Sequence, residues 1–233
     1  MDEKMFCFQC EQTAGCRGCM GNMGVCGKPA DTAELQDGLT GELISFACAA
    51  GGRAPECGAR LMLEGLFTTV TNVNFNSATV AELAARVREA RKKLGDDAPA
   101  YDVRKIWEAD EDIRSLKSLI LFGLRGTAAY AYHAAVLGYH DAEVDGFFFE
   151  ALAALARFDT MDELLRHPQV MKLYRDRIDK LQQQLAHYEQ VKYFTLLPEP
   201  FSMERGELTN TLKIRRSVLY QNYASQIEAM YEE

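Results

Sequence analysis

The stretch "MFCFQCEQTAGCRGCMGNMGVCGK", Met5 to Lys28, places five thiols within twenty residues: Cys7, Cys10, Cys16, Cys19 and Cys26. Thiolates are ligands for soft metals, and a multi-metal centre needs several of them converging on one point. Cys7 and Cys10 form a C-x-x-C pair. That spacing lets both sulfurs face one centre while the intervening amides point at them and tune its electronics. Cys26 follows the glycine-rich "GNMGV", which allows close backbone approach. Cys16 and Cys19 compete for the remaining place, and spacing does not choose between them. Three chemistries suit the stretch. An iron–sulfur cluster is favoured by the spacing and the glycine-rich wrap. A structural zinc site would use the double C-x-x-C of Cys7/Cys10 and Cys16/Cys19, although the loop between the pairs is short for a zinc ribbon. Free or redox-active thiols are the third.

The rest of the chain bounds the setting. A length of 233 residues allows one large domain or two small ones, and 48% hydrophobic residues can build a core. No run of about eighteen apolar residues is present. The start Met1-Asp2-Glu3 is acidic where a secretory leader would be basic. The expected location is therefore cytoplasmic, where thiols stay reduced and clustered cysteines point to metal or catalysis. The net charge of −8 is uneven. Met1 to Leu165 holds 16 basic and 25 acidic side chains, whereas Arg166 to Glu233 holds 10 and 9. An acidic body argues against nucleic acid and anionic membrane as partners.

The elements that must position the cysteines read as helices. Asp31-Thr-Ala-Glu34 has the form of a capping box and predicts a helix to about Cys48. Ala49 to Gly58 breaks it with glycine and proline. Arg60 to Val70 is helical by period, and Thr79-Val-Ala-Glu82 predicts a second box opening a helix to Leu94. Asp112 to Gly138 predicts a long apolar helix broken near Gly123 or Gly126, and Ala142 to Phe158 another. Thr160-Met-Asp-Glu163 is a third box. Past it, His167 to Glu189 predicts one charged helix, Gln190 to Leu197 a strand, Gly206 to Ile214 a turn and β-prone segment, and Arg216 to Tyr231 a closing helix. The expected fold is mostly α: helical bundles with an N-terminal cysteine-rich loop over residues 1–165, then a small α+β tail module over 166–233.

The words "MFCFQCEQT", Gly18-Cys19 and "GVCGK" together resemble the N-terminus of the hybrid cluster protein, or hydroxylamine reductase, family. "LQDGL" (Leu35 to Leu39), "LFTTVTNVNF" (Leu66 to Phe75) and "EDIRSLKSLILFGLRGTAAYAYHAAVLGY" (Glu111 to Tyr139) continue the resemblance in order, over about residues 5–165. It implies Cys7, Cys10, Cys19 and Cys26 as metal and cofactor ligands and leaves Cys16 aside. It implies a [4Fe–4S] cluster, with [2Fe–2S] as the alternative, at one end of two three-helix bundles. The family's reductive chemistry occurs at a second, hybrid cluster in downstream domains. Beyond Cys26 only Cys48 and Cys57 remain in this sequence, too few to build it. The expectation is an iron–sulfur electron-transfer domain of oxidoreductase type, served by a redox partner protein or a separate catalytic subunit, with a homo-oligomer also allowed. A zinc-stabilised helical interaction module is the competing expectation.

The tail, His167 to Tyr231, resembles the C-terminal end of AMP-forming long-chain acyl-CoA synthetases, most specifically in "GELTNTLKIRR". That resemblance implies an adenylation-site role for Lys213, as a fusion remnant; the plainer expectation is a solvated lysine. Plain structural roles are likewise expected elsewhere. His133 and His140 read as packed or surface histidines, Cys48 and Cys57 as small buried hydrophobes, and Phe147-Phe148-Phe149 as core plus an edge. Asp110-Glu111-Asp112 reads as a helix N-terminus, and Arg88 to Lys93 as a solvated helix face.

Overall fold

The computed structural model describes residues 5–10, 17–56 and 58–231. They divide into two compact units, Met1–Asp159 and Thr160–Glu233. Mostly helical structure is observed throughout: α1 (Ala30–Ala49), α2 (Ala59–Thr68), α3 (Ser77–Lys93), α4 (Arg104–Glu108), α5 (Glu111–Val136) and α6 (Ala142–Leu155) in the first unit, and α7 (Met161–Leu165), α8 (Pro168–Leu181), α9 (Arg216–Asn222) and α10 (Ala224–Ala229) in the second. Among the described residues no helix is long and apolar enough to cross a membrane.

In the first unit α1, α2 and α3 pack on one another, α5 packs on both α4 and α6, and contacts of α6 with α1 and of α5 and α6 with α2 join the two groups. One core results, with Leu39, Leu43, Phe46, Met62, Leu66, Leu124, Phe149 and Leu152 at its centre. α1 is buried almost all round, because helices cover it on several sides. Phe148 and Phe149 enter the core and Phe147 stays outside. Cys48 is exposed at the end of α1, which corrects its expected burial; Cys57 lies outside the described residues.

Two of the three expected capping boxes are replaced. α1 starts a residue before Asp31, from Pro29, so Asp31 sits in the first turn, where the helix dipole favours it. Its Oδ2 accepts from Ser77 Oγ instead. α3 starts from Asn76, whose Oδ1 accepts from the amides of Ala78 and Thr79. The box at Thr160 and Glu163 forms in both directions. α5 runs unbroken through Gly123 and Gly126. Tertiary packing of Ile113, Leu121, Leu124 and Ala128 outweighs the propensity lost at the glycines.

The expected solvated face Arg88 to Lys93 is corrected at Arg91, which is 2% exposed. It faces Glu42 of α1, itself 1% exposed, with Nη2 3.4 Å from Oε2. Arg88 Nε donates to the other Glu42 oxygen at 2.7 Å, and Arg91 Nη2 also donates to the Ala98 carbonyl. A carboxylate buried on α1 thus draws Arg91 inward, while Arg88 reaches it from the exposed face.

The second unit departs from an α+β module. Residues 190–197 form no helix and pair with no strand among the described residues; the β-prone segment contributes only an isolated Leu208–Ile214 bridge. Side chains do the work of a ladder: the Arg175 guanidinium donates to the carbonyls of Val191 and Lys192, and Gln182 Oε1 accepts from the Val191 amide. The expected helix from His167 ends at Leu181, with a separate 3₁₀ turn at His187–Glu189. The closing helix breaks at Tyr223, whose hydroxyl donates to Glu207 Oε1 at 2.7 Å.

Removing one partner of a buried ion pair leaves the other charge unpaired, at a cost of about 3–5 kcal/mol. Glu42→Gln leaves Arg91 with Asp96 Oδ2 3.7 Å from its Nη1, so it should cost less than that, lowering the unfolding free energy by about 2 kcal/mol in urea titrations. Arg86→Ala, which removes an exposed pair with Glu64, should change it by less than about 1 kcal/mol.

Candidate metal centre

The cysteine loop is built on an extended segment, Met5 to Gln9, whose side chains alternate between two sides. Phe6 and Phe8 share one side and both pack on the Trp107 ring of α4, with centroids 5.2 and 5.3 Å away. That contact directs Cys7 and Gln9 to the other side. The strand finds its partner in the loop itself. The Cys7 amide donates to the Cys19 carbonyl at 3.0 Å and the Cys19 amide donates back at 2.8 Å, while the Met5 amide donates to the Gly21 carbonyl. Cys7 and Cys19 are thus directly opposed across an antiparallel bridge. Gly18 makes the approach possible: its φ is +65°, and a Cβ there would lie 2.9 Å from the Cys7 carbonyl oxygen.

Cys26 sits on a tight turn in which the Gly24 amide donates to the Lys28 carbonyl at 2.8 Å and the Gly27 amide to the Gly24 carbonyl at 2.9 Å. Gly24 touches both sides of the site: a Cβ there would stand 3.3 Å from Met5 Cε and 3.4 Å from Cys26 Sγ. Cys10 is half-buried at the end of the extended segment.

A polar floor ties this loop to the helices. Gln9 Nε2 donates to the Ala33 carbonyl and to Asp37 Oδ1 on α1. Lys28 Nζ donates to Gln9 Oε1 at 2.6 Å and to Gln36 Oε1. Arg125 of α5 reaches in with three nitrogens: Nη1 donates to the Gln9 carbonyl at 3.1 Å, Nη2 to Thr40 Oγ1 and Nε to Thr69 Oγ1, each at 3.2 Å. Burial pushes the Cys7 thiol up, partly offset by its backbone hydrogen bond from Gln9 and by the Lys28 charge. Burial also pushes the Asp37 carboxyl up to about 6, against the Gln9 hydrogen bond and the charges of Arg125 and Lys28. It pushes Arg125 down to about 10, against the pull of Asp37, Cys7 and Cys10, so the guanidinium stays protonated at neutral pH.

Of the expected ligands, the structure sets Cys7 against Cys19, puts Cys26 on the turn that touches Met5, and leaves Cys10 with Cys7 in the field of Arg125. Among the described residues no three His, Cys, Asp or Glu side chains stand together as a ready-made metal site. The donor chemistry suits an anionic iron–sulfur group: several thiols on one glycine-rich loop, above a floor of two cations bonded to neutral acceptors. Cys16 lies outside the described residues. His133 is exposed, with its ring edge-on to Phe67, and His140 is exposed. Lys213 is exposed in a turn closed by the Thr209 amide on its carbonyl. Gln9, Lys28, Asp37 and Arg125 were not singled out from sequence. The available signals were a lone arginine in the apolar run "LILFGLRGT" and a lysine two residues after Cys26.

Comparisons with known proteins give the same region a lineage. The model of the Prismane/CO dehydrogenase family matches residues 5–173. A hydroxylamine reductase of Chlorobaculum tepidum is 38% identical over 189 residues, covering 69% of this chain and 34% of the relative. One from Desulfovibrio desulfuricans is 38% identical over 181 residues, covering 66% and 33%. One from Bacteroides fragilis (strain YCH46) is 37% identical over 190 residues, covering 69% and 34%. The chain spans about a third of the length of these curated relatives. The resemblance of the tail to acyl-CoA synthetases finds no support here, since the family match itself runs into α8. A bridged cysteine loop pinned on a helical core, matched by one family model across most of its length, makes this chain a member of the Prismane/CO dehydrogenase family.

Proposed function

We propose that the first unit is an electron-transfer module of oxidoreductase type in which Cys7, Cys10, Cys19 and Cys26 hold an iron–sulfur cluster, [4Fe–4S] in preference to [2Fe–2S]. The observation that carries this reading is the reciprocal Cys7–Cys19 backbone bridge. It holds two thiols opposite each other on a loop that also presents Cys10 and Cys26. When bound, such a cluster takes up and passes on single electrons. The protein's part is positional. The Phe6 and Phe8 contacts with Trp107 fix the direction of the extended segment, and Arg125 fixes its height above the helices through the Gln9 carbonyl. A redox partner protein, or a catalytic subunit of the hydroxylamine reductase type, would complete the electron path. A cytoplasmic setting would keep the thiols reduced.

Anaerobic reconstitution with iron and sulfide is expected to produce sulfide-to-iron charge-transfer absorption that bleaches with dithionite. Cys10→Ser should remove most of that absorption, while Cys48→Ser, at an exposed thiol away from the loop, should retain it. Stoichiometric zinc without acid-labile sulfide, or unchanged iron in Cys10→Ser, would sink the proposal. Iron and sulfide counts with electron paramagnetic resonance of the reduced protein decide the nuclearity.

Gly18→Ala provides a geometric check. It forces an L side chain into a positive φ against the Cys7 carbonyl, so the bridge should open. Cluster occupancy is expected to fall several-fold while the helical circular dichroism signal stays at the native level; native occupancy would show that the bridge does not position the ligands.

A further inference from the structure

Among the described residues, two cations lie beneath the cysteine loop without a carboxylate bonded to them. Lys28 is 3% exposed, and its ammonium donates to the amide oxygens of Gln9 and Gln36. Arg125 is 5% exposed, and its guanidinium donates to one carbonyl and two threonine hydroxyls. Among the described residues neither forms an ion pair. Asp37 is linked to Lys28 only through Gln9, which donates to its carboxylate and accepts from the ammonium. Burial pushes its carboxyl up only to about 6, so it remains mostly ionised at neutral pH. The hydrogen-bond acceptors of both cations are neutral dipoles; the Asp37 charge acts on both through space and offsets one of the two positive charges, which leaves a net positive charge beneath the loop.

Burying unpaired charge is expensive, and the expense is recovered where an anion occupies the same volume. The charge of both residues reaches the cysteines. Lys28 acts electrostatically on Cys7, and Arg125 interacts with Cys7 and Cys10. A cluster ligated by four thiolates is dianionic when oxidised and trianionic when reduced, with two irons or with four. A fixed positive charge beside it therefore favours the reduced form. The placement also differs from the generic amide environment of a cysteine loop: one cation comes from the loop and the other from α5, 116 residues from Gln9 in sequence.

We infer that Lys28 and Arg125 are positioning charges that raise the reduction potential of the cluster proposed above, by compensating the electron that it accepts. The inference rests on that reading. The step is a one-electron reduction: the donor loses an electron, the cluster gains it, and the compensating charge is already in place, so no proton need accompany it.

The test is a redox titration of the reconstituted native protein, Lys28→Met and Lys28→Arg, with dithionite as reductant in the presence of redox mediators, followed by electron paramagnetic resonance. Lys28→Met is expected to lower the equilibrium constant for reduction about tenfold, which for one electron moves the midpoint about 59 mV more negative. Lys28→Arg, which keeps the charge, should stay near the native midpoint. Arg125→Met should shift in the same direction as Lys28→Met. A native midpoint in both methionine variants overturns the inference, as does an equal shift in Lys28→Arg and Lys28→Met, which would make Lys28 a packing residue. If Lys28→Met takes up no cluster while Lys28→Arg loads normally, the requirement for charge is supported; if neither loads, side-chain shape rather than charge is decisive and the inference fails. Failure of the native protein to assemble any cluster would instead remove the proposed function itself.

Discussion

The structure of the cysteine loop depends on one side chain, Arg125. A loop rich in glycine and cysteine has little apolar surface to bury and cannot hold its own position. Arg125 supplies a rigid fork that reaches the Gln9 carbonyl, Thr40 on α1 and Thr69 at the end of α2. Three parts of the chain meet at one guanidinium. The planarity and fixed donor directions of arginine suit this role; a lysine would donate from one nitrogen only and could not span the three acceptors. Trp107 performs the apolar counterpart from the other side by receiving Phe6 and Phe8. The loop is thus clamped between a polar and an aromatic contact, and its cysteines fall on the side that neither occupies.

The helical body repeats the same physical theme. Glu42 is buried on α1 and draws Arg88 and Arg91 from α3, so the α1–α3 interface contains a charge network as well as leucines. Such a network specifies one rotation of α3 about its axis, since turning the helix would strand the Glu42 carboxylate. In the floor of the cysteine site the two cations donate to neutral acceptors, and the single Asp37 carboxylate acts on them only through space. The contrast separates a charge pair that closes on itself from one left open toward the loop.

Much of this was legible along the chain. The helix α2 follows from apolar period, α5 and α6 from their apolar runs, and α3 and the Thr160 box from capping residues, because these signals are local. The cysteines announced themselves by type and spacing. The α1 and α3 starts were misplaced because Asp31 and Thr79 are equally good acceptors in sequence. The structure uses Asp31 to accept from Ser77, while Asn76 takes the cap at α3. The strand expected at residues 190–197 has the right alternation, but a strand needs a partner, and Arg175 and Gln182 took up its backbone groups.

The sequence alone determined that this is a mostly helical protein with a thiol-rich loop at one end, since helix periodicity and residue chemistry need no distant partner. Only the tertiary structure decided that Cys7 faces Cys19, that Lys28 and Arg125 are buried beneath them, and that Arg91 turns inward. Each of those facts joins residues far apart in the chain. It depends on which surfaces the helices bury against one another, and neither period nor spacing records that.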